Sequence, residues 1–276
     1  MKPAPKTAVR ATAAGKRPAT NTDGTQAIRR AASILKAIAK ANAQGISLAD
    51  ISRAEDLPRS TAHRILKCLV DEGFVEHPGN SRRYQMGRLS YELGLAVSSG
   101  VLEVARWRDV IDTVARRTGV TSYLMRRSGV EAVCLIKAEG NSVVRVIPVD
   151  VGQRRLLGVG AGATALLEAL DAETAERVID TITPGLRNHP QISVDVLRAA
   201  VQAARTTGVA ISQGRVVAES FGMGMIIPDA QATPSLAVSI AAHMSLVTDA
   251  NIARWKRVIA EEIQAAITSP KRAIST

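Results

Sequence analysis

The clearest helical pattern of apolar and polar positions lies in residues 57–75, LPRSTAHRILKCLVDEGFV. Pro58 suits the first turn of a helix, and Gly73 suits the left-handed residue that often ends one. The pattern therefore predicts a helix of about fourteen residues over 58–72, with one apolar face and one face free to contact a partner. Four residues form the apolar stripe: Ala62, Ile65, Leu66 and Leu69.

A shorter helix is predicted just before this one. Ser47 and Asp50 have the spacing of a capping box, with Asp in place of the usual Glu, and they start a helix near Leu48. That helix stops near residues 55–56, which leaves only a short turn before the helix over 58–72. Two helices with this separation are typical of a helix-turn-helix, in which the second helix enters the major groove of DNA.

The residues after Gly73 have the pattern of a β-hairpin. Strand-like runs at 74–77 and 82–86 flank the turn-rich tetrapeptide 78–81. With a helical pattern over 25–41 upstream, three helices and a hairpin make a winged helix-turn-helix. The exposed face of the 58–72 helix and the hairpin supply the candidate DNA-binding residues: Arg59, Ser60, Thr61, His63, Arg64, Lys67, Arg82 and Arg83.

The chain has a different pattern after residue 102, where strands and helices are mixed. Strands are predicted at 121–126, 132–137, 143–149, 209–212, 223–227 and 236–241. Helices are predicted at 103–117, 162–170, 172–182, 194–206 and 249–267. This order of elements favours an α+β domain built on an antiparallel sheet.

These patterns divide the chain into segments. A helical pattern in residues 87–101 predicts a linker helix, and its stripe of Leu89, Leu93 and Ala96 could be buried against a second copy of the chain. The expected segments are a disordered basic arm over 1–24, a winged helix-turn-helix DNA-binding domain over 25–86, the linker helix over 87–101, the α+β domain over 102–270 and a tail over 271–276.

Charge separates the two halves of the chain. The formal net charge is +11 and the sequence pI is about 10.2. Residues 1–100 hold sixteen Lys and Arg against eight Asp and Glu, whereas the remainder holds twenty against seventeen. Because clustered basic residues bind phosphates with release of condensed counterions, the charge favours DNA as a partner. Aromatic residues make up 3% of the chain, which leaves few platforms for stacking the bases of RNA.

Membrane and secretion signals are not visible in the sequence. No apolar run reaches the roughly eighteen residues that a membrane span requires, and the basic N-terminus lacks the apolar core of a secretory signal. Cys68 and Cys134 are the two cysteines, and both have apolar neighbours in the sequence. We expect them to be small buried thiols in a reducing compartment, which places the protein in the cytoplasm.

Catalytic and metal chemistry is not indicated either. The four histidines have no Cys or His at metal-ligand spacing. The glycine-rich run 158–162 lacks the lysine of a phosphate loop, and Ser220 beside Glu219 is not a nucleophile arrangement without a placed histidine. We therefore expect no enzyme activity, no metal and no cofactor.

The order of elements and several motifs resemble the IclR family of bacterial transcriptional regulators. The resemblance covers most of the chain after the arm and is strongest in LPRSTAHRIL at 57–66, GFV at 73–75, and YQMG at 84–87 with Leu93-Gly94. It implies an N-terminal domain that binds an operator as a dimer and a GAF-like C-terminal domain that binds a small-molecule effector. The chain departs from the family pattern at Ser212-Gln213, where an acidic pair is common.

The resemblance places the effector pocket over the antiparallel sheet. In 236–241 the small residues Ala237, Ser239 and Ala241 share one face, which leaves room for a ligand. The other interpretation is that these small residues let a helix pack closely on the sheet. The candidate effector-binding residues are Gly160, Ala161, Gly162, Ser212, Gly222, Met223, Ser239 and Ala241. The family suggests an organic or aromatic acid as the effector.

Two classes of function fit these patterns. The first is a sequence-specific DNA-binding regulator, acting as a homodimer or a dimer of dimers, whose operator affinity is controlled by a small molecule. The alternative is a small-molecule sensor or enzyme whose N-terminal domain mediates protein contacts. The polar face of the recognition helix and the arginines of the wing favour the first class.

Overall fold

The computed structural model describes residues 22–41, 44–79, 81–229 and 233–268, apart from the side chains of 22–24 and 98–103. Its N-terminal domain contains three helices and three short strands: α1 Thr22–Ala41, β1 Ile46–Ser47, α2 Leu48–Ala54, α3 Arg59–Asp71, β2 Val75–Glu76 and β3 Arg83–Met86. The strands form an antiparallel sheet in the order β1-β3-β2. This arrangement is a winged helix-turn-helix.

The core of this domain follows the predicted stripe of α3. Ala62, Leu66 and Leu69 are buried, and Ile65 is half-buried. They pack on buried residues of α1 and α2, among them Ile34, Ile38 and Ile51. The predicted cap of α2 is confirmed, because the Ser47 side chain accepts a hydrogen bond of 3.2 Å from the backbone N–H of Asp50.

Three expectations for this domain need correction. Helix α1 begins at Thr22, so residues 22–24 are helical and do not belong to a disordered arm; the rest of the arm and the 271–276 tail lie outside the described residues. Strand β1 was not predicted, because two residues are too few to show an alternation. Cys68 is exposed rather than buried, since it lies one position beyond the apolar stripe, whereas Cys134 is buried.

The linker is two helices rather than one. Helix α4 runs over Arg88–Leu95, and a second helix, α5, runs over Ser98–Thr118, so the predicted helix over 87–101 is interrupted near Val97. No residue of α4 is buried. Its apolar side chains are therefore available for another partner.

The C-terminal domain is built on a six-stranded antiparallel sheet. Its strands are β4 Thr121–Ser128, β5 Glu131–Ala138, β6 Arg154–Leu156, β7 Ala210–Gln213, β8 Ser220–Ile226 and β9 Leu236–His243, in the order β6-β5-β4-β9-β8-β7. Its remaining helices are α6 Ala161–Glu168, α7 Ala172–Ile182, α8 Val194–Thr207 and α9 Asp249–Thr268. The α+β class is as predicted.

Each face of the sheet has its own core. Helices α6 and α8 cover one face, and α7 shares their core, with Leu166, Ile179 and Leu197 buried there. Helices α5 and α9 cover the other face, where Trp107 and Trp255 are buried. The two layers explain why the central strands β4 and β9 are buried along nearly their whole length.

The prediction of a strand at 143–149 is wrong. The third strand on this side is β6, and 143–149 crosses toward it without pairing in the sheet. Pro148 has no N–H to donate to a ladder, and Val143 is 99% exposed. Val146 and Val149 are nevertheless buried, so the segment packs on the domain as an irregular loop.

The two domains are joined by an ion pair as well as by the chain. The Nζ of Lys40 in α1 lies 2.7 Å from Oε1 of Glu131 in β5. The other oxygen of Glu131 accepts a hydrogen bond of 2.8 Å from Arg154 in β6, which also donates to Ser128 at 2.7 Å. Burial would raise the pKa of Glu131, but the hydrogen bonds from Lys40 and Arg154 outweigh it and hold the pKa below its usual value.

Candidate DNA-binding surface and effector cavity

Helix α3 presents a polar face opposite its buried stripe. Ser60, His63, Arg64 and Lys67 are exposed, as is Arg59 at the start of the helix. No hydrogen bond or ion pair to the side chains of Arg59, His63, Arg64 or Lys67 is present in the described part of the chain. This face is therefore free to bind an acidic partner.

Thr61 occupies a different environment from its neighbours. It is half-buried, and with Arg64 it borders a groove between α3 and α1. Its position near a DNA backbone, which the sequence suggested, stays a prediction.

The two wing arginines also differ. Arg82 is exposed, whereas Arg83 belongs to β3 and donates a hydrogen bond of 2.9 Å to the carbonyl oxygen of Gly45. Gly45 has a positive φ of 63°, and a Cβ there would lie 2.9 Å from the carbonyl oxygen of Tyr84. Arg83 thus helps to hold β1 against the wing, and Arg82 has the freer guanidinium.

A cavity lies between α6 and the sheet of the C-terminal domain. The centre of a water-sized molecule can occupy about 50 Å³ of it, and the cavity opens to solvent. Pro148 and Val149 of the irregular loop, and Val216 between β7 and β8, complete its wall. Seven of the eight residues predicted to bind an effector line it: Gly160, Ala161, Gly162, Ser212, Gly222, Ser239 and Ala241.

Met223 is the exception and is a correction. Successive residues of a strand point to opposite faces, so Met223 faces away from its neighbour Gly222. It packs in the other core, with Trp107 and Trp255, and does not line the cavity.

Close packing of α6 on the sheet depends on glycine. A Cβ at Gly224 would lie 2.5 Å from the carbonyl oxygen of Ala161, and one at Gly162 would lie 2.7 Å from Oγ of Ser239. Both interpretations of the small residues therefore apply: they let α6 approach the sheet, and the cavity occupies the space beside that contact.

Several polar groups in the cavity lack partners. The hydroxyl of Tyr123 is buried and makes no hydrogen bond, and Tyr123 is 2% exposed. In the described part of the chain, the side chains of Arg155, Ser212 and Ser239 likewise have no hydrogen bond or ion pair. Because buried polar groups in proteins are nearly always hydrogen-bonded, the unpaired Tyr123 hydroxyl, with the other three unpaired side chains around the same cavity, indicates a binding site.

Burial dominates the electrostatics of the cavity. It lowers the pKa of Arg155 and raises the pKa of Tyr123 far above its ordinary value. Burial also raises the pKa of Cys134, another titratable neighbour of Arg155, to about 12. At neutral pH the phenol and the thiol are uncharged, so neither of them supplies an anion to Arg155.

Sequence reasoning missed Arg155 and Tyr123. Arg155 follows Arg154 in a stretch that showed no strand pattern, and Tyr123 looked like an ordinary core residue of β4. The available signal was an arginine followed by two leucines just before the glycine-rich turn, which is weak without a structure.

The possible catalytic and metal-binding groups are engaged elsewhere. Ser220 donates a hydrogen bond to the carbonyl oxygen of Val217, and Nε2 of His243 lies 3.1 Å from Oε2 of Glu219. Within the described ranges, no group of three or more His, Cys, Asp or Glu side chains could hold a metal ion. The helices in those ranges include none long and apolar enough to cross a membrane.

A winged helix-turn-helix with a free basic face, joined through helices to a separate α+β domain, defines a DNA-binding transcriptional regulator. The chain belongs to the IclR family. Residues 27–79 match the IclR helix-turn-helix domain, and residues 93–268 match the C-terminal domain of the bacterial transcriptional regulator IclR.

Relatives and solved structures agree with this assignment. The chain is 30% identical over 230 residues to the HTH-type transcriptional repressor AllR of Klebsiella pneumoniae, covering 82% of each chain. It is 24% identical over 254 residues to the HTH-type transcriptional regulator XynR of Escherichia coli K12, covering 90% of this chain and 97% of XynR.

Two solved structures share the fold. An IclR-family regulator from Brucella abortus has a TM-score of 0.70 at 15% identity, covering 90% of this chain and 94% of its own. An IclR homologue from Microbacterium hydrocarbonoxydans, solved in complex with 4-hydroxybenzoate, has a TM-score of 0.65 at 20% identity, covering 88% of this chain and 99% of its own.

Proposed function

We propose that this transcriptional regulator binds a specific operator as a homodimer or a dimer of dimers, and that a small organic or aromatic acid in the C-terminal cavity controls its operator affinity. The observation that carries the DNA-binding part is the exposed, unpaired polar face of α3. Ser60, Arg64 and Lys67 are the residues we assign to the major groove, with Arg59 and Thr61 near the backbone. Such a protein acts in the cytoplasm, where its operator lies.

The dimer is supported by the apolar surface of the linker. Tyr91 is 68% exposed, Leu93 49%, Leu95 55% and Val97 55%. The first three lie on α4 and Val97 lies just beyond its end. Large apolar side chains exposed in one short segment are costly in water and are typical of an interface between copies. Two winged domains related by a two-fold axis fit an inverted-repeat operator with half-sites about one helical turn apart.

The effector is supported by the cavity and by one relative. The cavity has apolar walls and four unpaired polar groups, which is the composition of a small-molecule site. The homologue from Microbacterium hydrocarbonoxydans that holds 4-hydroxybenzoate has the same fold. An effector that binds the operator-competent and released states unequally changes operator affinity by the ratio of those affinities.

Gel shifts with genomic fragments at two salt concentrations test the DNA-binding part. Arg64→Ala should lose about 1–3 kcal/mol of preference for the operator over a scrambled fragment, because a bidentate arginine–guanine contact has that magnitude. Arg257→Ala, at an exposed position of α9, is the matched control and should bind like the wild type. Full affinity and unchanged base preference in Arg64→Ala would argue against α3 as the recognition helix.

A further inference from the structure

Arg155 is a half-buried cation without a counter-ion in the described part of the chain. It lies in the edge strand β6, opposite Ala132 of β5, and lines the cavity. Its near titratable neighbours, Tyr123 and Cys134, are neutral at physiological pH. Withdrawing a guanidinium from water without pairing it is unfavourable, and such a group attracts an anion.

The carboxylates on this side of the domain already have partners. Asp150 lies 2.6 Å from Nζ of Lys137, and Glu139 lies 2.9 Å from Arg145. Neither pairs with Arg155. These two carboxylates, which flank the irregular loop, therefore do not supply an anion to Arg155.

The composition of the cavity restricts the charge of what binds there. Arg155 is the one basic side chain among the described lining residues, and no Asp or Glu lines the cavity in those ranges. A single positive charge balances a monoanion and not a phosphate dianion. The Tyr123 hydroxyl, which has no partner among the described residues, adds a neutral hydrogen-bond donor to the same cavity.

We propose that Arg155 and Tyr123 bind the carboxylate of the effector, and that Arg155 makes the cavity select monocarboxylic acids over neutral molecules of the same shape. The guanidinium offers two parallel N–H donors that match a carboxylate, and the phenol donates a third hydrogen bond. The apolar wall at Val159, Val216 and Phe221 then receives the body of the acid. This inference rests on the proposed effector function and names the residues that give it specificity.

Matched acid and amide pairs test the selection. The purified full chain is titrated calorimetrically with acetate, lactate, benzoate and 4-hydroxybenzoate, each against its own amide. At least one acid should bind the wild type ten or more times as tightly as its amide, because a hydrogen-bonded charge is replaced by a neutral group. Arg155→Met should abolish that difference, and Tyr123→Phe should reduce acid affinity about three- to tenfold.

A second arm requires no ligand. Arg155→Met should raise the Tm of the ligand-free protein by about 2–4 °C, because it removes an unpaired cation from a half-buried site. Arg154→Met is the control: it breaks the contacts to Glu131 and Ser128 and should lower the Tm. If Arg155→Met lowers the Tm as Arg154→Met does, Arg155 is a structural residue and the proposal is overturned.

The proposal and the proposed function fail in different ways. An acid that binds wild type and Arg155→Met equally, or a panel in which no acid exceeds its amide, contradicts the role of Arg155. An acid that binds through Arg155 but leaves operator affinity unchanged in the gel shift contradicts effector control and leaves the carboxylate site intact.

Discussion

The two domains place their unpaired polar groups in opposite surroundings. In the N-terminal domain, the free side chains of Arg64 and Lys67 lie on an exposed helix face, where water solvates them. In the C-terminal domain, Tyr123 is buried and Arg155 is half-buried, and both line a cavity. A polar group at the surface costs no stability while it awaits a partner, whereas a buried one does. The DNA surface can therefore change without affecting folding, while the cavity and the fold are energetically linked.

Gly224→Ala gives the largest effect we expect, and it is confined to folding. The added methyl group would meet backbone atoms of Ala161 and Gly162, none of which can rotate away. We expect a loss of about 3 kcal/mol or more in the free energy of unfolding, since overpacking against backbone exceeds the usual side-chain case. Denaturant titration measures it.

Gly94→Ala is the control for that substitution. Nothing lies within 4 Å of a Cβ at Gly94, and the residue is inside α4, where alanine is the better helix former. It should leave the unfolding free energy unchanged or raise it. A Gly224→Ala protein as stable as Gly94→Ala would show that α6 does not need its close contact with the sheet.

Leu93→Asp separates assembly from folding. Leu93 is 49% exposed in the single chain, so the substitution should barely change the stability of the protomer. In a dimer it would bury an unpaired carboxylate in each copy, at a cost of about 2 kcal/mol or more. Light scattering at micromolar concentration should then show a monomer, with operator affinity at least tenfold lower. A dimer of unchanged affinity would place the interface elsewhere.

The wing arginines give an effect of intermediate size and distinguish two roles. Arg82→Ala should lower affinity for all DNA sequences and reduce the slope of log affinity against log salt by about 0.9, the value for one phosphate contact. Arg83→Ala should also loosen β1, because it removes the hydrogen bond to Gly45. Hydrogen exchange at residues 46–47 should rise in Arg83→Ala alone. Equal exchange in both variants would contradict this division.

Lys40→Met should give the smallest effect. The side chain of Lys40 is 49% exposed, so its ion pair with Glu131 contributes about 1 kcal/mol or less. Glu131 keeps Arg154 as a partner, and the C-terminal domain should therefore remain as stable as before. The ratio of operator affinity with effector to operator affinity without effector should change by about two- to fivefold relative to the wild type. Lys36→Met, one turn earlier on the exposed side of α1, controls for the loss of charge.

The sequence predicted the elements whose pattern is long and regular. Helix α3 shows four apolar positions at helical spacing, and α7 and α9 are similarly regular, so their bounds were predicted within a few residues. The 143–149 segment was mispredicted because it is rich in β-branched residues, which favour strands, although it packs as a loop with Val146 and Val149 buried. A residue pattern indicates which side chains of a segment are buried. A loop that packs on the domain can have the same pattern as a strand.

The cavity was predictable only in part. The family resemblance located the small residues of α6, β8 and β9, and the alternation of β9 gave the face that they share. Arg155 could not be found, because its importance lies in what surrounds it: a half-buried position without an anionic partner among the described residues. Segments that are distant in the sequence create the surroundings of Arg155 when they pack together. The local sequence pattern around Arg155 therefore does not reveal them.

The position of strand β6 affects how fast its amide hydrogens exchange with solvent. It is three residues long, it lies at the edge of the sheet, and β5 is its one neighbour. Short edge strands have few hydrogen bonds to break, so their amide hydrogens exchange through local openings of low free energy. Arg155 faces the cavity and the preceding Arg154 holds the carboxylate that also binds Lys40 of the other domain. An acid bound to Arg155 should slow amide hydrogen exchange at 154–156. The exchange rate of this strand would then depend both on occupancy of the cavity and on the contact between the domains.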